Sequence, residues 1–548
     1  LLSAASGVGG ESLDVDDVYS TFLYTGTGNN QTIQNGIDLT EGGLVWTKGR
    51  SAHNHNLHDS ATGVTCNLRT NGQNAAFCDS TQISAFTSNG FSVGTDGSSN
   101  TNSRNYVSWT FRKANKFFDL KSTSHTNGST TTLDFSSLGT IGMGIAKRTD
   151  STGDWFVQHR ADTSKHVLLN SSASATTAES DFGISGTNFR LDANLPSGTY
   201  IVYCFAHHDD DGEFGSSGDQ DIINCGSYTG NASTTGPTVD LGFEPQFVMT
   251  KRLNATGNWV IQDNMRQGLN LTSTDMLFPN LVNAPTAFAS PTVAPNASGF
   301  SIVDNGTNYN ASGETYIFMA IGRSTKEPTA SSQVFSEHFG DGDHTTNFPV
   351  DMNINTQNAN SSINYIFNRL THTNILRTNS NDDEDTFGPA GFFANSTGVD
   401  TAASWWGSAS NLLSLSWKRA QTYFEIVGYT GNDAAGHNVK HGLKVVPEMM
   451  WIKRRNGLEN WAVFHSGIGE TKHLQLNTTS GAITSSTHFN NTAPTNSVFT
   501  VGATNDVNSS TAPYIAFLFA SVDGVSKVGT VSHTQSSATN VDCGFSNG

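Results

Sequence analysis

Apolar and polar residues alternate in short runs along the whole chain, and no long stretch shows the 3.6-residue period of a helix. One such run recurs four times, as Phe91-Ser92-Val93, Phe189-Arg190-Leu191, Phe300-Ser301-Ile302 and Phe499-Thr500-Val501. Alternation of this kind fits strands with one buried face and one wet face. The sequence therefore predicts a β-protein in which helix is a minor component.

Pairs of these runs are joined by short polar loops. The clearest pair lies on either side of residues 149–153, with Met143 to Arg148 before the loop and Asp154 to His159 after it. Equivalent loops occupy 253–257 and 455–459. Short glycine-containing connections between β-branched and aromatic runs indicate β-hairpins.

The hairpins belong to a long internal repeat. A Lys-Arg pair precedes a tryptophan, seven residues after the Arg, in three copies, and two weaker copies fill the same column; its members are Leu57, Trp155, Trp259, Tyr365 and Trp461. A second column of apolar runs keeps the same period and starts at Tyr106, Tyr200, Tyr316, Leu412 and Tyr514. Two columns in step indicate repeated structural units.

A period of about 100 residues gives each unit enough chain for a core of its own. We therefore expect an all-β protein of tandem, independent β-sandwich domains, jelly-roll or lectin-like. A propeller is disfavoured because its blades repeat at about 40–50 residues. The predicted domains are 1–119, 120–215, 216–335, the divergent fourth repeat 336–423, and 424–524, followed by residues 525–548 as the start of an incomplete sixth repeat.

Composition narrows the function. The formal net charge is −18, and the 29 Lys and Arg residues are scattered among 47 Asp and Glu residues. A nucleic-acid partner is therefore not expected, because phosphate neutralisation needs clustered basic residues. Apolar runs are far shorter than the roughly 20 residues of a membrane span, so membrane insertion is not expected either. The five cysteines do not resemble a disulfide framework, and Cys66 with Cys78 is the one near pair.

The tryptophan column has two interpretations. Aromatic rings beside basic side chains can stack on sugars. A core or inter-sheet anchor is favoured instead, because the column also accepts Leu57 and Tyr365. A repeated catalytic acid is not expected, since Asp154 is replaced by asparagine in other copies and glycoside hydrolysis needs paired carboxylates.

Metal sites are a secondary possibility. The densest oxygen-ligand cluster is Asp209, Asp210, Asp211 and Glu213, which we interpret first as a solvated acidic linker and only second as a cation site. The cluster of His53, His55 and His58 is a weaker candidate. No P-loop, nucleophile elbow or His-Glu-x-x-His motif is present, and no cofactor is expected.

The amino-acid sequences of the repeats resemble those of a known group of proteins. The segments that carry the resemblance are 15–26, 35–39, 43–46, 109–119 and 147–155. They are similar to repeat-containing virion structural proteins of marine bacteriophages, notably cyanophages, and the similarity spans nearly the whole chain. The fourth repeat departs from the pattern because it lacks Lys-Arg before Tyr365.

The resemblance implies a tail fibre or other virion structural protein on the surface of an extracellular particle. The expected role is non-enzymatic attachment to a host-surface glycan or protein, in a homo-oligomer, with a trimer favoured, bound to other virion proteins. Tandem weak sites gain avidity through effective concentration, which supports this role. Two alternatives stay open: a fibre-borne polysaccharide depolymerase, and a passive spacer or capsid-decorating fibre.

Overall fold

The structure is a computed structural model. It describes residues 13–179, 181–266, 274–288, 293–323, 326–340, 343–357, 364–372, 374–385, 392–400 and 412–545. Five antiparallel sandwiches follow one another, as the alternation of apolar and polar residues predicts. The described residues up to 323 form one compact unit, unit 1, and those from 326 form a second, unit 2.

Repeat 1 defines the plan. A large sheet has the order β1-β9-β3-β4-β5-β6 and a small sheet has the order β2-β8-β7. Its elements are α1 Val15–Val18, β1 Tyr19–Thr25, β2 Gln31–Gln34, η1 Leu39–Glu41, β3 Gly43–Gly49, β4 His55–Asp59, β5 Gly63–Arg69, β6 Phe77–Cys78, β7 Ile83–Thr87, β8 Gly90–Val93, α2 Gly97–Asn100 and β9 Asn105–Arg112.

Repeat 2 has the same two sheets, β10-β18-β12-β13-β14-β15 and β11-β17-β16. Its elements are β10 Phe118–His125, β11 Thr131–Asp134, η2 Ser136–Leu138, β12 Ile141–Arg148, β13 Trp155–His159, β14 Lys165–Leu168, β15 Thr176–Thr177, β16 Gly183–Ser185, β17 Asn188–Leu191 and β18 Gly198–Ala206.

Repeat 3 completes unit 1 with the sheets β19-β27-β21-β22, β20-β26-β25 and β23-β24. Its elements are β19 Ile223–Thr229, β20 Thr238–Asp240, β21 Pro245–Arg252, β22 Val260–Asp263, β23 Thr274–Met276, β24 Thr286–Phe288, β25 Val293–Asn296, β26 Gly299–Ile302 and β27 Thr315–Gly322.

Unit 2 holds repeats 4 and 5, whose large sheets are β28-β34-β30-β31-β32 and β35-β42-β37-β38-β39-β40, with the pairs β29-β33 and β36-β41. Repeat 4 comprises η3 Ser331–Gln333, β28 Phe335–Phe339, β29 His344–Thr345, β30 Met352–Gln357, β31 Asn364–Asn368, β32 Ile375–Arg377, β33 Gly398–Val399 and β34 Leu412–Trp417. Repeat 5 comprises β35 Phe424–Thr430, β36 His437–Lys440, β37 Met449–Arg454, β38 Ala462–His465, β39 Lys472–Gln475, β40 Ile483–Thr484, β41 Val498–Val501, α3 Asn505–Asn508 and β42 Pro513–Phe519.

Each large sheet of unit 1 buries both of its faces, which explains why its strands are almost continuously apolar. In repeat 1, Val45 and Tyr106 point toward the small sheet and pack in the sandwich core with Phe91. The alternate residues Trp46 and Trp109 point the other way, into a second core. We call this second surface of the large sheet the triad face.

The triad faces of repeats 1, 2 and 3 pack against one another. Phe247 of repeat 3 lies 5.9 Å from Tyr19 and 6.3 Å from Phe111 of repeat 1, between ring centroids. Phe111 in turn lies 5.4 Å from Phe205 of repeat 2. The expectation of independent domains is therefore wrong for unit 1, because its three sandwiches share one apolar core as well as having their own.

Candidate functional site: the joints between repeats

The three column tryptophans fasten repeats 2, 3 and 5 to the repeats that precede them. Trp155 of repeat 2 donates its Nε1–H to the carbonyl of Arg69 at 3.0 Å, and Trp259 of repeat 3 donates to that of Leu168 at 2.8 Å. In unit 2, Trp461 donates to the carbonyl of Arg377 at 2.9 Å. All three rings are buried, with at most 1% exposed. A buried indole gives both apolar area and a directed hydrogen bond, so we call each contact a joint.

A buried lysine completes every joint. The ammonium groups donate to carbonyls of the preceding repeat: Lys147 to Gln73 at 3.3 Å, Lys251 to Ser172 at 3.3 Å and Lys453 to Asn381 at 3.2 Å. Each lysine also donates to carbonyls in its own hairpin. Backbone carbonyls thus replace the lost water shell of a charge that has no carboxylate partner in these bonds.

Repeat 1 closes unit 1 into a triad by contacting repeat 3. Lys48 holds the lysine position and donates to the carbonyl of Val282 at 3.4 Å, while the Thr70 hydroxyl donates to that of Pro279 at 2.7 Å. Repeat 2 thus bonds to repeat 1, repeat 3 to repeat 2, and repeat 1 to repeat 3. Because these three contacts form a closed ring, every sandwich of unit 1 contacts the other two.

A second set of bonds ties the triad faces together. The Tyr203 hydroxyl of repeat 2 donates to the Asp59 carboxylate of repeat 1 at 2.7 Å, and Trp109 Nε1 of repeat 1 donates to Asp263 of repeat 3 at 3.1 Å. The two acceptors hold equivalent positions in their sheets. Burial raises the pKa of Asp59, although its hydrogen bonds oppose that change.

Strand register corrects the column in repeats 1 and 4. Lys147 pairs with Trp155, whereas Lys48 pairs with His55, two residues before Leu57. The corresponding position in repeat 4 is Asn364, which pairs with Thr356 and immediately precedes Tyr365.

The first repeat of each unit therefore has no tryptophan at the joint. His55 is fully buried there, and it accepts a hydrogen bond from Trp46 Nε1 at 3.0 Å.

An asparagine clamp, which sequence analysis missed, positions the residue at the tryptophan position in all five repeats. Its side-chain oxygen accepts the backbone N–H of that residue at 3.0–3.4 Å; the pairs are Asn71 with His55, Asn170 with Trp155, Asn280 with Trp259, Asn379 with Asn364 and Asn477 with Trp461. In four repeats the same amide donates to the residue before, at 2.8 Å. In the sequence this asparagine lies 15 to 21 residues after the residue that it positions, and the variable spacing concealed the pattern.

Burial sets the electrostatics of the joints. It lowers the pKa of Lys48 to about 7 and the pKa values of Lys147, Lys251 and Lys453 to about 8, since desolvation penalises the charged ammonium. The Arg266 charge lowers the pKa of Lys48 further. The repeated motif is thus enclosed, and its tryptophans present no ring face on which a sugar could stack.

The acidic cluster that was the second-choice cation site contacts a lysine and backbone N–H groups. Lys116 lies 3.5 Å from Asp211 and 4.0 Å from Glu213, and the backbone N–H of Asp209 donates to Asp211. Asp210 has its backbone N–H on the carboxylate of Asp221. Across the described part of the chain, no group of three or more His, Cys, Asp or Glu side chains is arranged to hold a metal ion.

The three histidines of repeat 1 lie in different surroundings. His53 faces Arg104, His55 stacks on Trp109, and His58 contacts the carbonyl of Val64 and the amide of Gln82. Burial lowers the pKa of His58 to about 4, so this imidazole is neutral near pH 7. The two candidate cysteines, Cys66 and Cys78, form a disulfide between β5 and β6.

Repeat 5 holds a titratable cluster that sequence analysis did not single out. His488 contacts Asp506 at 3.0 Å and Ser485 at 2.8 Å, and its ring stacks on His473 at 3.6 Å. Asp506 also shares a hydrogen bond with Glu459. Burial raises the pKa of Glu459, and this hydrogen bond raises it further. Carboxyl groups in direct contact do not have the separation of about 5–9.5 Å that glycosidases use.

Comparison with known families places the chain. The family model described as a domain of unknown function, DUF7483, matches residues 14–324 and 394–547. The chain belongs to this family. No curated protein matches it. The DUF7483 match covers the triad of unit 1 and most of unit 2. Residues 325–393, which include much of the divergent fourth repeat, lie outside it. Among the described residues, no helix has the length and apolarity needed to cross a membrane.

Proposed function

We propose that this DUF7483 protein is a non-enzymatic component of a bacteriophage virion, a tail-fibre-like appendage that displays β-sandwich repeats for attachment to the host surface. The observation that carries the proposal is the repeated joint. Its Trp and Lys side chains hold one sandwich against the next, and its Asn side chain positions the Trp within its own repeat. Within each unit, joints of this kind hold the sandwiches together and leave similar outer surfaces exposed.

The outer surfaces of the small sheets support a role in display. Cross-strand polar pairs recur on these sheets. Thr32 with Ser92 and Thr238 with Ser301 are exposed, at 3.0–3.1 Å, and the equivalent pair of repeat 5, Asn438 with Thr500 at 2.8 Å, is partly buried. Uncharged hydroxyl and amide groups can exchange hydrogen bonds with glycans or with a protein surface. Weak contacts repeated along one chain gain affinity by effective concentration. A homotrimer within the virion belongs to the same proposal.

Immunogold labelling tests the location. Antibodies against the purified chain are expected to decorate particles of the phage that encodes it, at the tail or another surface appendage. Pre-incubating host cells with the purified chain should then slow phage adsorption, whereas the chain unfolded by heat should not. Labelling without competition would indicate a passive spacer, and no labelling would refute the virion role.

Two further measurements address the alternatives. Incubation with host polysaccharide is expected to release no new reducing ends; sustained release that one Asp or Glu substitution abolishes would establish the depolymerase. Light scattering of the purified chain should give the mass of a trimer. A monomer would contradict the oligomeric part of the proposal and leave the adsorption result standing.

A further inference from the structure

Unit 2 contains two repeats joined in the same manner as those of unit 1, which closes with three. Beyond the Trp461 and Lys453 bonds, the backbone N–H of Glu384 donates to the carbonyl of Arg455, as that of Ala76 does to the carbonyl of Thr149 in unit 1. The two units therefore share one rule of assembly. We propose that the triad face of unit 2 is a docking surface for a third β-sandwich repeat of the DUF7483 family.

The exposure of matching residues carries the first step. In unit 1 the triad-face positions of the large sheets are buried to 4% exposure or less; they are Trp46, Trp109, Phe111, Ile145, Tyr203, Phe205, Met249, Met319 and Ile321. The same register positions in unit 2 are largely half-buried: Ile354, Leu415, Trp417, Trp451 and Phe519. Met352, Ile515 and Phe517 on the same face are fully buried, within the apolar core that repeats 4 and 5 share. The third sandwich that covers this face in unit 1 has no counterpart among the described residues of unit 2.

The joint positions give the orientation of the occupant. Repeat 4 resembles repeat 1 in having no tryptophan at the joint, and repeat 1 is the member whose joint contacts the last repeat of its triad. At that position Asn364 has its Oδ1 buried without a hydrogen-bond partner in the part of the chain that the structure describes. A buried amide oxygen of this kind is costly unless a donor reaches it. Repeat 4 thus takes the place of repeat 1.

Repeat 5 has the backbone carbonyls that would accept hydrogen bonds from the Trp and Lys of the docked repeat. The carbonyls of Arg69, Leu168 and Arg377 receive the tryptophans, and register places Gln475 at the equivalent position in repeat 5. Four residues later, Thr479 corresponds to Gln73, Ser172 and Asn381, which receive the lysines. The occupant is therefore expected to place a Trp on the Gln475 carbonyl and a Lys on the Thr479 carbonyl.

Residues just after repeat 5 already form the entry to such a repeat. Val522 bridges to Ser526 as Ala114 does to Phe118 and Ala420 to Phe424, immediately before β10 and β35. Val525, in this turn, belongs to the apolar core that lines the triad face of unit 2. The turn thus matches the turns that begin repeats 2 and 5, which favours a repeat over an unrelated partner.

Hydroxyl-radical footprinting with mass spectrometry tests the open face in the 548-residue chain. Trp417 and Trp451 should be oxidised readily. In the same sample Trp46, which has the register position of Trp451, and Trp109 on the same face of unit 1 should stay protected. Protection of Trp451 in a monomer would overturn the proposal, because another part of the chain would already cover the face. Protection in an oligomer that Trp451→Arg dissociates would also overturn the proposal, because another copy of the chain would then cover the face.

Addition of a repeat tests the occupant. In an extended chain, a copy of residues 223–325, the third repeat of unit 1, follows Val525 in place of Ser526 onward. Oxidation of Trp417 and Trp451 should fall to the level of Trp46, and light scattering should give the same number of chains per particle as for the chain without the added repeat. In the matched control, the appended copy carries Ala at the positions of Lys251 and Trp259, and oxidation should return. Unchanged oxidation with the intact copy would overturn the proposal.

Discussion

At the residue scale, the joint tryptophans combine a large apolar area with one directed bond. Trp461→Ala should lower the free energy of unfolding of unit 2 by about 3–5 kcal/mol, as removal of a large core side chain does. Denaturant titration followed by circular dichroism measures the loss. Leu458→Ala, three residues away on a side chain that is 67% exposed, is the control and should change stability little. A similar loss for both variants would contradict the assignment.

The buried lysines predict an unusual response to alkali. Their folded pKa values of 7 to 8 lie below the unfolded value of 10.5, so the unfolded chain binds more protons between these limits. The lysine contribution to stability therefore rises with pH from about 8 toward 10.5. The buried tyrosines, whose pKa values burial raises, act in the opposite direction once unfolded tyrosines ionise.

The lysine effect is measured by the free energy of unfolding at about pH 7.5 and about pH 9.5, below the tyrosine range. Lys147→Met removes one titrating group and should give a smaller rise than the unsubstituted chain. Lys165→Met, at a half-buried residue paired with Asp162 outside the joints, is the control. An equal rise in all three chains would show that the joint lysines do not titrate as inferred.

At the element scale, the asparagine clamp fixes how the second hairpin strand begins. Asn170→Ala removes two hydrogen bonds, to Trp155 and Asp154, and should cost about 1–3 kcal/mol because a part-buried backbone N–H loses its acceptor. The exposed Asn194→Ala serves as the control in the same repeat. Hydrogen exchange at the Trp155 amide gives the local readout: exchange no faster than in the unsubstituted chain would contradict the role of the clamp.

At the scale of the whole molecule, the shared core predicts cooperative unfolding of unit 1. Phe247 belongs to repeat 3 but packs on Tyr19, Trp109 and Phe111 of repeat 1. Phe247→Ala should therefore lower amide protection in all three repeats of unit 1 together. Hydrogen exchange with mass spectrometry measures this. Loss of protection confined to repeat 3 would instead indicate independent sandwiches.

The sequence by itself determined the elements and their period. Alternation of apolar and polar residues is a local property, and it predicted the recurring Phe91, Phe189, Phe300 and Phe499 strands, the hairpins and the all-β class. The repeat also indicated that Trp155, Trp259 and Trp461 have the same structural role, because the same residues recur around them at the same spacing.

Only the tertiary structure decided what the structural role of these tryptophans is. The partners of each joint lie far apart in sequence, such as Lys48 and Val282, and local periodicity carries no information about them. Register also needed the fold: the hairpin of repeat 1 is one residue shorter between Lys48 and His55 than between Lys147 and Trp155. Alignment on Arg50 therefore selected Leu57, and alignment on an asparagine selected Tyr365. Tyr365 is one residue from Asn364 and so points to the opposite face of its strand, whereas Leu57 is two residues from His55 and shares its face. Only the paired strands show which residue occupies the joint.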